Sequence, residues 1–531
     1  MNPRTNLAWV AALALASPLA AHGAGDPDGS RWWAHVSALA DDKLEGRDTG
    51  SEGHRKAAAY VAAEFAKAGL KPGGTDGFLQ PVRFKSKQID EAHSSLTLAR
   101  PGGDIPLVLG DDAIISLRVD PASAVEAEMV FAGHGLVIPE LGIDEFRGLD
   151  VRGKLVVTLS GAPTSIPGPL ASHMQSAGER GALLRKLGAI GTVTIQNPKA
   201  MDIPWERSSL ARFMPAMSLA DPAMDDLRGL TLGVALNPAK ADKLLAGSGH
   251  AIAEILDAAD ANLPLPRFAI PGRLKATVAV KRADVESQNV AAILPGNDPI
   301  LKDEYVVFSA HLDHIGVGKP INGDAIYNGA MDNASGVAAM LDVAAMMKDA
   351  GIKLRRSVLF VAVTGEEKGL LGSRYFAVAP TVDPKSIVAD INTDMFLPLF
   401  PMKYLTVYGL DESDLGDDAA AVARSLGVSP EPDPEPKRNI FIRSDQYSFI
   451  RRGIPAIALK VGFAKGSPEE QVAKKWLTDR YHAPSDDLDQ PVDKAAAGAF
   501  EALVAKLLGR VANRDVRPRW KDASFFKRFA E

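Results

Sequence analysis

Five places in the chain set ionisable side chains where chemistry can use them. The apolar run EYVVFSA leads into His311-Leu312-Asp313, SVLFVAVTG into Glu366-Glu367, and SIVADINT into Asp394. Asp332 precedes the helical stretch NASGVAAMLDVA, and His482 lies in the loop RYHAPSDD. Taken singly, each has an ordinary structural reading. An Asp before a helix caps its free N–H groups, a Glu pair at a helix start suits the helix dipole, and a lone His is usually a satisfied polar residue. Gathered at one edge they need another explanation, because clustered carboxylates repel unless cations hold them. Asp332, Glu367 and Asp394 bring about three negative charges, and His311 and His482 bring neutral nitrogens. Two divalent ions sharing one hydroxide would bring the cluster near neutrality. Oxygen and imidazole donors without thiolate suit zinc in a catalytic role, and cobalt or manganese fits the same donors.

These residues fall at the ends of apolar runs, and in open α/β sheets ligands bind outside the carboxyl ends of the strands. From about residue 284 the runs NVAAILPG, EYVVFSAH, SVLFVAVTG, SIVADINTD and IPAIALKVG alternate with helical stretches. That alternation predicts an α/β fold with a mixed, mostly parallel sheet covered by helices. Helical periodicity is expected over 30–39 and 53–70 and in a last helix from Asp493 to Val511. Residues 96–280 have a different texture, with short β-rich runs such as VEAEMVFAGHGLV and GKLVVTLSG between Gly and Pro turns. They hold no cluster of ligand or nucleophile residues and read as a β-rich domain inserted into the other one. The expected organisation is a catalytic part over 25–95 and 281–512, the insert over 96–280, and a tail over 513–531. Trp205 and Phe213 read as core residues of the insert, as do Met340, Met346 and Met347 of their helix. SPEPDPEPK (429–437) reads as a stiff surface loop.

The chain has 531 residues, 46% hydrophobic and 24% charged, with a net charge of −6 and no cysteine. An acidic chain without a basic run excludes nucleic acid as a partner. The absence of cysteine excludes disulfides, thiolate nucleophiles and Cys-type metal sites. Residues 1–24 have the pattern of a signal peptide: Arg4, the short apolar run LAWVAALALA, then small residues. No other stretch reads as a membrane span, so an exported protein, periplasmic or secreted, without a stable membrane anchor is expected.

The motifs SAHLDHIG, YNGAMDNASGVA, VTGEEKGLLGS, INTDMF and YHAPSDD resemble those of the di-zinc aminopeptidases of metallopeptidase family 28. LEGRDTGSEGHRKAAAYVAAEF resembles the opening segment of its bacterial members, and the insert resembles a protease-associated domain. The resemblance implies the zinc exopeptidase fold and peptide substrates. It gives one zinc to His311, Asp332 and Asp394 and the other to Asp332, Glu367 and His482, so that Asp332 bridges. It makes Glu366 the general base, Asp313 the carboxylate that orients His311, Tyr481 a donor to the oxyanion, and Arg443 a substrate contact. His311 and Asp332 stand 21 positions apart, wider than in small members, so GVGKPINGDAIY must loop out. Gln446 stands where many relatives carry His. His314 is left over and is taken as structural. Removal of N-terminal residues from peptides is the expected reaction. The alternatives are a carboxypeptidase of the glutamate carboxypeptidase type, with Arg438, Arg443, Arg451 and Arg452 near the substrate, a receptor-like ectodomain without catalysis, and a glutaminyl cyclase.

Overall fold

Strands buried on both faces read as unbroken apolar runs, and the main sheet is built from such runs. In the computed structural model, which describes residues 29–201, 203–438 and 440–530, its main strands are β1 (Leu79–Ile89), β2 (Val280–Leu294), β3 (Tyr305–His311), β4 (Ser357–Val363), β5 (Ile387–Asn392), β6 (Tyr404–Tyr408), β7 (Ser429–Glu431) and β8 (Ala456–Gly462). The expected signal peptide lies outside the described residues. The spatial order is β1-β2-β4-β3-β5-β8-β6-β7. Strands β4, β3, β5 and β8 are parallel neighbours. β2 and β6 run antiparallel to them on either side. The sheet is therefore mixed, with parallel pairing among the four central strands and again between the edge strands β6 and β7.

Alternate side chains of the central strands enter different cores. Val306, Phe308, Val358 and Phe360 pack with helices α1 (Ser30–Leu39), α2 (Glu52–Lys67), α3 (Ser335–Asp349) and α4 (Lys494–Ala512). Val307, Leu359 and Val361 pack on the other face with Phe376, Phe449, Trp520 and Phe526. Trp520 and Phe526 belong to the stretch read as a tail, and both are buried. Met340 and Met347 are wholly buried core residues of α3, and Met346 is half-buried against the same core.

A second sheet of eight strands lies between Ser95 and Thr277 and has its own core, including Leu98, Phe131, Val157 and Leu274. The chain reaches it and returns along one antiparallel ribbon, with β1 and β2 paired from Val290↔Leu79 to Val280↔Ile89. One short strand of this stretch, Ala216–Leu219, crosses back and pairs with β1 at the edge of the main sheet. Asp226 binds Arg374 at 2.7 Å and Arg451 at 2.8 Å across the junction. His173 Nδ1 lies 2.8 Å from the Tyr447 hydroxyl. Trp205 is buried, but Phe213 is half-buried, with Arg212 and Lys319 over its ring at 4.0 and 4.5 Å. The SPEPDPEPK stretch begins as edge strand β7, the one place in a sheet where its Pro430 costs no ladder bond. Among the described residues no helix is long and apolar enough to cross a membrane.

Candidate metal centre

Three adjacent parallel strands end at the same level. β3 finishes on His311, opposite Val363 of β4, and Ser309 is level with Asn392 of β5. The chain turns after β4 through Gly365, at φ 71°, and presents Glu366 and Glu367. After β5 it presents Asp394. Asp332 comes from the turn that leads into α3, and His482 from a loop on the same edge.

The side chains converge. His311 Nε2 lies 3.3 Å from Asp332 Oδ1 and 3.4 Å from Asp394 Oδ1. On the other side of Asp332, His482 Nε2 lies 3.3 Å from Asp332 Oδ2 and 3.2 Å from Glu367 Oε2. Asp332 thus presents one oxygen to each side. His311 Nδ1 is 3.0 Å from the Asp313 carbonyl. That contact makes Nδ1 the donor and leaves the Nε2 lone pair aimed at two carboxylate oxygens. Three acceptors facing one point need a cation between them. Glu367 Oε1 is also buried without a hydrogen-bond partner. The donors therefore fit zinc chemistry, with imidazole and carboxylate and no thiolate.

The electrostatics agree. Burial pushes carboxylates up, yet the facing histidines His314, His311 and His482 hold Asp332 well below its ordinary value. Glu367 is likewise held low against burial by His482 and His314. Burial would lower His482, but Glu367 and Asp332 push it up to about 10. Glu366 moves the other way: burial, with Glu367, Asp394 and Asp445 nearby, raises it well above the usual carboxylate range.

Further residues tie these loops together. Asn333 donates to Thr393 O at 3.0 Å and accepts from Met395 N at 3.2 Å, which couples the Asp332 turn to Asp394. The Asp486 carboxylate accepts from Met331 N and Asp332 N at 2.9 and 3.0 Å, which couples the same turn to the His482 loop. Arg47, wholly buried, donates to the carbonyls of Leu39, Leu312, Asn328 and Gly329. Asp313 differs from expectation. It is the main-chain carbonyl, not the carboxylate, that meets His311. The carboxylate accepts from Thr49 Oγ1 at 2.9 Å and from Glu366 N and Glu367 N at 3.1 and 3.4 Å. It secures the turn that aims the two glutamates.

The Tyr481 ring lies against that of His482, with centroids 4.0 Å apart and planes tilted by 36°. Arg443 is exposed on the rim of the same cavity. Gln446 is fully buried, accepts from Asn392 Nδ2 at 2.8 Å and donates to Phe441 O at 3.0 Å. His314 is the residue the sequence reading missed. It is wholly buried, and its Nδ1 lies 2.8 Å from Glu367 Oε1. Its signal was present, since a third histidine stands one residue from Asp313 in SAHLDHIG. Asn333 and Asp486 also stood inside the quoted motifs, but nothing in sequence spacing shows which loops they join.

The centre opens into a cavity of about 1230 Å³. Its walls come from both sheets: Glu366, Tyr481 and His482 from one side, and Arg118, Arg207 and Arg212 from the other.

Fold and site together define a mixed α/β protein with a candidate metal centre at the carboxyl edge of its sheet. Residues 289–508 match the sequence profile of peptidase family M28. Leupeptin-inactivating enzyme 1 of Streptomyces exfoliatus is 30% identical over 238 residues, 43% of this chain and 50% of that protein. Probable leucine aminopeptidase 2 of Aspergillus oryzae is 28% identical over 222 residues, 39% of this chain and 41% of that protein. The chain therefore spans half or less of these curated relatives. An aminopeptidase from Aneurinibacillus sp. strain AM-1 shares the fold, with a TM-score of 0.55 at 20% identity over 93% of this chain and 95% of that one.

Proposed function

We propose that the protein is a zinc-dependent aminopeptidase. The observation that carries this reading is the pair of imidazole–carboxylate clusters that share Asp332, with Glu366 beside them at the floor of a large cavity. His311, Asp332 and Asp394 would hold one zinc, and Asp332, Glu367 and His482 the other. Zinc bound there would polarise the scissile carbonyl and acidify water. Glu366 accepts the proton of the attacking water and delivers it to the leaving amine. The Tyr481 hydroxyl donates to the oxygen that gains charge. Asp313 holds the Glu366–Glu367 turn so that the two carboxylates point to different tasks. The substrate's free ammonium is met by the carboxylates at this edge, and Arg443 contacts the peptide beyond it. We read residues 96–280 as a protease-associated-like insert that forms one wall of the cleft, and residues 1–24 as an export signal.

A carboxypeptidase would need free cations for the substrate's terminal carboxylate. Arg451 is already bound to Asp226 and Arg438 to Glu435 at 2.8 Å, which takes two of the four named arginines out of that role. A non-catalytic ectodomain would have no use for Glu366.

The test is a panel of free-amine aminoacyl reporters and their N-blocked counterparts, run with chelator and with zinc restored. Chelator-sensitive cleavage of the free-amine set is the expected result, and cleavage of only the blocked set overturns the aminopeptidase reading. Glu366→Gln should retain zinc and lose about 10²- to 10⁴-fold in turnover.

A further inference from the structure

We infer that His314 is a positioning residue for Glu367: with Oε2 turned to the second zinc site, Oε1 comes into line to accept Nδ1–H of His314. The inference rests on the zinc reading above. His314 Nδ1 lies 2.8 Å from Glu367 Oε1 and 3.8 Å from Asp332 Oδ2. Neither ring nitrogen of His314, nor Glu367 Oε1, has a hydrogen-bond partner among the described residues, so the close pair meets out of hydrogen-bond alignment. His482 approaches the opposite oxygen of Glu367, at 3.2 Å from Oε2. Two imidazoles therefore bracket one carboxylate. The His482 side chain is 28% exposed, while that of His314 is 0% exposed. The open side can admit an ion, and the closed side braces the ligand.

The ring is fixed from behind. The His314 amide donates to Arg47 O at 3.3 Å. The ring packs on Gly329, at φ 61°, where a Cβ would come within 2.5 Å of ring atoms Cγ and Cδ2. Only glycine leaves room for the imidazole there and adopts that backbone readily. A ligand whose other oxygen is held loses less freedom when it binds metal, and removal of such a supporting contact typically weakens affinity about 10- to 100-fold.

The experiment measures zinc affinity at each site by competition with a chromophoric chelator, zinc content by elemental analysis, and thermal midpoints of the metal-stripped proteins. Wild-type protein should bind two zinc ions. His314→Ala should weaken one of them about 10- to 100-fold and leave the other within about twofold. His314→Gln, whose amide can donate to Oε1, should recover most of the loss. Unchanged affinity in His314→Ala overturns the inference and leaves the aminopeptidase reading standing. Equal weakening of both sites, with a lower midpoint for the stripped protein, makes the residue merely structural and also overturns it. Loss of one zinc-bound imidazole in the X-ray absorption spectrum of His314→Ala makes it a ligand and overturns the positioning role. Wild-type protein that binds no zinc overturns both.

Discussion

Asp332 is the hinge of the site at the scale of single residues. Its two oxygens face different imidazoles, so its loss is not equivalent to the loss of a ligand on one side. Asp332→Asn should lower zinc content by both ions, whereas Asp394→Asn should remove one, read by elemental analysis after exhaustive dialysis. Equal stoichiometry in the two variants would contradict the bridging role. The candidate ligands other than His482, which lies in a loop, were legible because each ends an apolar strand or opens a helix. Their supports were not. Arg47 lies far from Gly329 in sequence, and a buried guanidinium on four carbonyls leaves no local pattern. Nor does the spacing of HLDH tell which way His314 turns, which depends on the glycine behind it.

At the scale of elements, the second sheet is held by more than its connecting ribbon. The strand Ala216–Leu219 adds to the main sheet, and Asp226 reaches Arg374 and Arg451 beside that sheet. Asp226→Ala strands both cations in a half-buried setting and should cost on the order of 2 kcal/mol. A lower thermal midpoint and a raised KM, with kcat less affected, are the expected results. An unchanged KM would mean that the second sheet's seating does not shape the cleft. The change of texture near residue 96 was visible in sequence because turn-rich β runs replace helical periodicity. The return of one short strand to the other sheet was not, since edge pairing depends on which backbone lies alongside.

The whole molecule folds around buried ionisable groups, and its stability should depend on both metal and pH. Zinc held at about a hundred times its Kd stabilises by about 2.7 kcal/mol per site, so chelation should lower the thermal midpoint and zinc should restore it. Burial lowers the pKa of His54 to about 3 and of His134 and His173 to about 4. The unfolded chain, with histidines near pKa 6.5, takes up protons in that interval that the folded chain does not. Stability is therefore fully present above about pH 6.5 and declines as pH falls toward about 4. Urea midpoints across this range should fall with pH. The slope should flatten in His173→Gln, whose side chain can still bond Tyr447, and an unaltered slope would remove His173 from the account.

The sequence by itself determined the α/β alternation, the metal-type donors at the strand ends and the exclusion of thiolate chemistry. Each follows from residue type and local periodicity, which a single chain displays. Tertiary structure decided how far the parallel part extends, because β2 and β6 take their direction from connections elsewhere. It also decided that Asp313 braces the two glutamates rather than His311, that Asp486 and Asn333 lock three loops to one level, and that His314 lies against Glu367. Those contacts join segments far apart in the chain, and packing alone brings them within hydrogen-bond reach.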